Sequence, residues 1–241
     1  MMRILLKKYT YLILLKVKIM KKIKITLLLV FLFTIKLNAQ FIQNLSDLQG
    51  KPLTESKYSD ITGTVFLFED WLKGSVEQGT KISYKDVDLK YNNYSDELFF
   101  KNPKDGAMLS FVSPVTAFSL NINGRIDMYR NGFPEIDKFN EKSYYQIVFD
   151  GGIKLLFKNY KTLIQVKPYN STITEKKFVD NFAYYVFKDN VMIKFKPSKN
   201  DFLQILSSKS NEIDAFIKKE KINFKDNQDL AKVFVYYSTL L

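Results

Sequence analysis

The sequence predicts an α+β protein: a mostly antiparallel β meander, folded as a sandwich or roll, followed by a C-terminal pair of amphipathic helices. Two observations predict this class. From about Gly63 to Pro197, apolar and polar residues alternate with a period of two, as they do in half-buried strands. After Pro197 the apolar residues recur at the i, i+3, i+4, i+7 spacing of one helix face.

Three short turns between alternating segments predict three β-hairpins. Asn123-Gly124 is a sequence typical of a tight type I′ turn. The other two turns are predicted at residues 150–152 and 188–190. The alternation also changes phase at Lys85-Asp86, which indicates a β-bulge or a short turn.

Two helices are predicted after the strands. The apolar residues of the first are Ile213, Phe216 and Ile217, and its predicted N-cap is Ser208. The second has apolar residues at Leu230, Val233, Phe234 and Tyr237, and its predicted N-cap is Asp226.

The N-terminal region has the pattern of an export signal. Residues 1–39 hold nine of the 37 Lys/Arg and none of the 25 Asp/Glu. A basic start at residues 20–24, an apolar run at 25–35 and a polar end at 36–40 form the layout of a cleaved secretory signal. The apolar run is about half of the ~20 residues that a membrane-spanning helix needs. We therefore expect translation to start at Met20, cleavage after Ala39, and no stable membrane span afterwards.

Residues 1–19 carry a second apolar stretch, and one long membrane-inserted segment is the alternative interpretation. Five lysines between residues 16 and 24 separate the two stretches. Each charge near the centre of a spanning helix costs about 2.5–3.5 kcal/mol, which argues against one continuous span. Bacterial lipoproteins need a Cys after the signal, and since the chain has no Cys we expect no lipid anchor.

The composition of the exported part excludes several classes of function. Beyond residue 39, 28 Lys/Arg face 25 Asp/Glu, and a net charge of +3 gives no strong attraction to nucleic acid. The absence of His and Cys removes most catalytic and metal-binding constellations and all disulfides. Stability must therefore come from burial, for which the chain holds 21 Phe and 15 Tyr. We expect residues 40–62 to form a linker or arm, 63–197 a β-rich body and 198–241 a helical segment.

Several sequence blocks resemble a family of exported proteins from Bacteroidota that has no assigned function. Residues 68–74 (FEDWLKG), 87–92 and 94–98 carry the first part of the resemblance. Residues 212–219 and 229–237, a Lys-rich helix and a final helix ending in paired Tyr, carry the second. The signal end Asn38-Ala39-Gln40 is also typical of exported proteins of that group. The resemblance implies one exported unit and names no chemistry.

The candidate ligand-binding residues are aromatic. Trp71 has either a ligand-facing ring or the more common role of a core anchor. Tyr145 and Tyr184 lie on predicted strands, where a concave sheet could present them to a small ligand. Four carboxylates, Glu69, Asp70, Asp96 and Glu97, form either a paired-carboxylate or Ca²⁺ site or, more simply, two charged turns.

These observations predict a non-enzymatic protein of the periplasm, the outer cell surface or the extracellular space. We expect no catalytic residues, no metal and no cofactor. The expected role is an interaction module with a protein partner in the cell envelope. The alternative is a binding protein or carrier for a small apolar ligand or a glycan.

Overall fold

A computed structural model describes residues 41–42, 48–52, 58, 60–79, 82–167, 169 and 174–241. The predicted signal, its cleavage site and the start at Met20 lie outside these residues. Everything below concerns the unit that runs from Phe41 to Leu241.

Thirteen strands, three α-helices and one short 3₁₀ turn form the described part of the chain. The strands are β1 Phe41–Ile42, β2 Gly50–Pro52, β3 Ile61–Thr62, β4 Leu72–Gln78, β5 Ile82–Asn92, β6 Glu97–Lys101, β7 Met108–Phe111, β8 Val115–Ile122, β9 Arg125–Arg130, β10 Tyr145–Asp150, β11 Lys154–Val166, β12 Glu175–Lys188 and β13 Val191–Phe195. The helices are α1 Lys199–Ile205, α2 Ser210–Glu220 and α3 Asn227–Ser238, with the 3₁₀ turn at Ser207–Lys209.

The described strands belong to one open, mostly antiparallel sheet. The main path runs β13-β12-β11-β10-β9-β8-β4-β5-β6-β7-β2, while β1 pairs in parallel with β5 and β3 in parallel with β12. Two meanders, β4 to β7 and β8 to β13, meet where β4 pairs with β8. The predicted α+β class with an antiparallel meander is therefore confirmed.

The predicted turns join strands as expected. Asn123 and Gly124 have φ of 53° and 88°, as a type I′ turn requires, and they connect β8 to β9. Asp189 and Asn190 also have positive φ, between β12 and β13. The phase change at Lys85-Asp86 is a β-bulge, because the pairing of β4 with β5 shifts there and Asp86 has a φ of 55°.

Both faces of strands β10 to β13 are covered. On one face, Leu155 and Val186 pack against the helices through Phe202, Leu230 and Phe234. On the other face, the loop between β9 and β10 covers a second cluster, which contains Phe133, Phe139, Tyr145, Leu156 and Tyr185. A third cluster fills the inner face of the other half of the sheet, with Val76, Leu89, Tyr91, Phe118, Leu120 and Tyr129 at its centre.

The helical segment differs in two ways from the prediction. The seven-residue α1 comes before the predicted pair, and it is too short to show helical periodicity on its own. Ser208 is not an N-cap: it lies in the 3₁₀ turn, α2 begins at Ser210, and the Ser208 hydroxyl is 3.0 Å from the Tyr237 hydroxyl instead. Asp226 is the N-cap of α3, as predicted, and accepts from the backbone N–H groups of Gln228 and Asp229.

The sheet curls so that β11 meets the end of β5, although four strands separate them along the main path. The backbone N–H of Lys161 donates to the carbonyl of Asn93 at 3.1 Å. The Asn93 side-chain amide donates to Asn159 Oδ1 at 3.2 Å. This closure brings polar residues of β11 into the interior, where the candidate sites lie.

Candidate functional site

A buried lysine lies where β11 closes against β5. The Lys158 side chain is 1% exposed. Its ammonium donates to the Asp96 carboxylate, to the Tyr91 hydroxyl at 3.1 Å and to the Tyr144 carbonyl at 2.9 Å. The ring of Phe139 lies 5.1 Å from the ammonium and adds a cation–π contact.

The electrostatics of this Lys158 cluster follow from burial. Loss of hydration lowers the pKa of Lys158, and the Asp96 carboxylate opposes that shift. Burial raises the pKa of Tyr91 well above its usual value, and the nearby charge of Asp96 raises it further. The Tyr91 hydroxyl donates to the same Asp96 oxygen that Lys158 contacts. Asp96 lies in the turn between β5 and β6, where its backbone has a φ of 61°.

The Lys158 cluster has the chemistry of a structural ion pair. An ammonium has three donors, and here each has an acceptor. A nucleophilic amine must lose its proton and reach a substrate, and these three bonds oppose both. The cluster therefore fixes β11 to the β5–β6 turn.

A wide groove opens beside Asp96. It has a volume of about 780 Å³, and its walls carry charges of both signs, from Asp96, Glu97, Lys138, Lys142 and Lys161. Two of these charges already have partners, since Lys161 pairs with Asp180 at 2.8 Å and Asp96 with Lys158. Because the wall charges have both signs, the groove does not favour an anionic or a cationic ligand.

A second depression lies between the sheet and the first turn of α3, and we call it the α3 cleft. Its volume is about 360 Å³, within the usual range for small-molecule sites. Strands β8 to β11, the segment at Leu67-Phe68 and helix α3 form its walls. The residues that matter for its chemistry are Phe68, Tyr129 and Phe157 among the rings and Arg125, Asp127, Gln146, Asn159, Asn227 and Gln228 among the polar groups.

Hydrogen bonds hold several polar groups of the α3 cleft in place. Arg125 binds the nearly buried Asp127 through Nε at 2.8 Å and an Nη at 3.1 Å. Asn227 Oδ1 accepts from the Tyr184 hydroxyl at 2.7 Å. Asn159 Oδ1 is held by Asn93, as described above. These bonds fix the side chains of Arg125, Asp127, Asn159 and Asn227 in the walls of the cleft.

The structure separates the three ligand-binding residues that the sequence suggested. Trp71 is half-buried just before β4, with the Lys90 ammonium 5.6 Å from its ring. Tyr145 is completely buried on the opposite face of the sheet from Tyr184, among Phe133, Phe139 and Tyr185. Tyr184 is the one of the three that contacts the α3 cleft, through its hydroxyl on Asn227 and its ring 4.8 Å from that of Phe157.

Of the four carboxylates that the sequence suggested as a possible site, Asp96 and Glu97 line the wide groove, and Glu69 and Asp70 are not among its lining residues. Glu69 and Asp70 are exposed, and Glu97 accepts from the Ser95 hydroxyl at 2.7 Å. Asp96 binds Lys158 instead. In the part of the chain that the structure describes, no three or more acidic side chains are grouped so as to hold a metal ion.

Sequence reasoning missed both the Lys158 cluster and the α3 cleft. Lys158 reads as a solvent-facing residue of an alternating strand, although the run Leu155-Leu156-Phe157 beside it is a signal that both faces of β11 are covered. The cleft residues come from segments spread between Leu67 and Ala231, and no local motif joins them.

None of the helices among the described residues is both long and apolar enough to cross a bilayer. Comparison of the chain with protein-family models, with curated proteins and with solved structures finds no match.

Proposed function

We propose that this protein is an exported, non-enzymatic interaction module that binds a protein partner in the cell envelope. The signal pattern of residues 20–40 and the resemblance to exported proteins of Bacteroidota support export to the periplasm, the outer cell surface or the medium. The lack of His and Cys supports a role in binding more than in catalysis.

The outer half of the β11–β12 hairpin is the observation on which the proposal depends. β10 pairs with β11 only up to Phe157, and β13 pairs with β12 only from Tyr184 onward. The hairpin beyond these points pairs with itself out to Val166 and Glu175, and the short strand β3 pairs with β12 at Lys176 and Lys177. Ile164 and Val166 are each about 40% exposed on one face of this extension. Contiguous exposed apolar residues on a soluble surface are typical of interaction sites.

The charges around this hairpin face indicate what kind of partner it fits. Lys177 lies directly opposite Ile164 and Glu175 directly opposite Val166, and both are exposed, so the apolar residues have one charge of each sign beside them on the same face. Opposite charges at the rim of an interface steer association and favour the correct partner. We therefore infer an envelope protein that presents an apolar surface with charges of both signs at its rim.

Affinity capture from the native envelope tests this function with a matched pair of variants. Ile164→Lys places a charge in the apolar face, whereas Gln165→Lys places the same charge at the exposed neighbouring position on the other face. We expect a stoichiometric partner with the unmodified protein and with Gln165→Lys, and its loss with Ile164→Lys. A partner retained equally by both variants, or no partner at all, would contradict the proposal. The captured protein must then bind the purified chain directly.

A second candidate function is that of a binding protein or carrier for a small ligand. The α3 cleft favours it, because apolar walls and a few oriented polar groups are typical of small-molecule sites. Saturation-transfer NMR with small-molecule probes tests whether the cleft is occupied.

A further inference from the structure

The α3 cleft combines aromatic surface with oriented amides. Phe68 and Phe157 are half-buried and offer ring surface, while the buried Tyr129 lies beneath them in the wall of the same cleft. Gln146 and Gln228 have no side-chain hydrogen bond to another described residue, so both amides are available to a ligand. An amide presents donors and an acceptor together, which suits a hydroxyl group that also does both.

The charges in the cleft oppose an ionic ligand. Arg125 is neutralised by the bidentate contact with Asp127. The positive end of the α3 dipole is likewise occupied, because Asp226 accepts from the N–H groups of Gln228 at 2.7 Å and Asp229 at 3.3 Å. An anion would find a carboxylate at each of these positions instead of a free donor.

The polar groups also oppose a purely apolar ligand. An acyl chain in the cleft would cover the amides of Gln146 and Asn227 without offering them a hydrogen bond. Polar groups that are covered without a partner lower affinity strongly. A ring with hydroxyl groups at its edge and C–H groups on its face satisfies both the amides and the aromatic rings.

We propose that the α3 cleft binds a ring of a neutral saccharide. The inference rests on the second candidate function, for which the ligand was either a small apolar molecule or a glycan. It selects the glycan. Phe157 and Phe68 contact the apolar face of the sugar, while Gln146, Asn227 and Gln228 hydrogen-bond its hydroxyls. Tyr184 is a positioning residue, since its hydroxyl fixes the orientation of the Asn227 amide.

The test uses the purified protein with three probes: a panel of neutral disaccharides, galacturonate as an anionic sugar, and laurate as an apolar ligand. Saturation-transfer NMR detects binding, and titration gives the dissociation constant. Gln228→Ala removes one cleft amide at an exposed position of α3, and Gln165→Ala removes an amide far along the chain on the β11–β12 hairpin. Ala231→Phe fills the cleft from the helix side.

We expect at least one neutral disaccharide to bind more tightly than galacturonate or laurate. Loss of one hydrogen bond should weaken its binding about three- to tenfold in Gln228→Ala, with no change in Gln165→Ala. Ala231→Phe should abolish it. Neutral-sugar binding that is unaffected by both cleft variants would overturn the assignment.

The remaining outcomes separate this inference from the function on which it rests. If laurate or galacturonate binds best and Ala231→Phe blocks it, the carrier function stands and the saccharide inference is wrong. If no probe binds, both are wrong. Neither result bears on the protein partner of the β11–β12 hairpin, which the Ile164→Lys variant tests.

Discussion

The burial of Lys158 depends on the groups that its ammonium contacts. A buried ammonium loses its hydration, and only the Asp96 carboxylate with the Tyr91 and Tyr144 oxygens compensates it. The pKa of Lys158 is lowered because desolvation outweighs the attraction of Asp96. Removal of the carboxylate should therefore destabilise the protein more than removal of the whole pair.

Asp96→Asn tests this at a position where the backbone itself is not disturbed, because Asn tolerates the positive φ of 61°. We expect the free energy of unfolding to fall by about 2–3 kcal/mol, somewhat below the usual cost of an uncompensated buried charge because the Asp96 side chain is 22% exposed. The double variant Asp96→Asn with Lys158→Met should recover most of the loss. Urea unfolding followed by circular dichroism measures all three proteins.

Glu97→Gln is the control for this prediction, since Glu97 is exposed and its partner is the neighbouring Ser95 hydroxyl. Its effect should stay within about 0.5 kcal/mol. Equal effects of Asp96→Asn and Glu97→Gln would show that the ion pair contributes nothing to stability.

At the level of the elements, features that depend on adjacent residues were predicted correctly, whereas features that depend on contacts between distant segments were not. The Asn123-Gly124 turn and the bulge at Asp86 depend on a few adjacent residues, so the sequence showed them directly. The Asp226 cap was visible for the same reason, while Ser208 was wrongly chosen because its hydroxyl is used by the distant Tyr237. Two other features depend on how distant strands come together. Strand β4 lies between β5 and β8, and Asn93 contacts Lys161 because the sheet curves, which no single strand encodes.

The helices also depend on the sheet more than on their own sequence. Phe234 of α3 is fully buried, with its ring 5.9 Å from that of Phe149 on β10 and 5.6 Å from that of Phe202 on α1. Phe234→Ala should lower the free energy of unfolding by about 3–5 kcal/mol, since it leaves a cavity where three elements meet. Chemical denaturation measures the change.

Val235→Ala is the matched control for Phe234→Ala, because the next residue of the same helix is 50% exposed. It should change stability by no more than about 0.5 kcal/mol. A small effect of Phe234→Ala would mean that α3 is not packed on the sheet as described.

At the scale of the whole molecule, buried tyrosines occur in both halves of the sheet. Seven described tyrosines have a pKa raised above the usual 10.0 with burial as the largest cause. The rise is large in five of them: Tyr91, Tyr129, Tyr144, Tyr145 and Tyr185. These five lie in β5, β9, β10 and β12 and directly before β10, so their ionisation depends on the folding of the whole sheet. Their combined effect should appear as a single alkaline transition.

The sign of that transition follows from proton linkage. Below pH 10 these phenols are protonated in both the folded and the unfolded chain, and their contribution to stability is fully present. Above pH 10 the unfolded chain releases protons that the folded chain keeps, so the free energy of unfolding should fall as the pH rises further. Lys158 has the opposite sign, since its lowered pKa makes stability rise towards pH 10.5, but it is one group against five.

Urea midpoints measured from pH 8 to pH 12, together with tyrosinate absorbance, test this prediction. We expect stability to be level, or to rise slightly through Lys158, up to about pH 10 and to decline steeply beyond it, with the buried phenols ionising only as the chain unfolds. Tyr145→Phe is the informative variant, because its hydroxyl is buried without a hydrogen-bond partner among the described residues. It should be at least as stable as the unmodified protein at pH 7 and should lose less stability above pH 10, because one phenol fewer titrates. Stability that stays constant to pH 12 would contradict the shared burial of these rings, and with it the closed arrangement of β5 against β11.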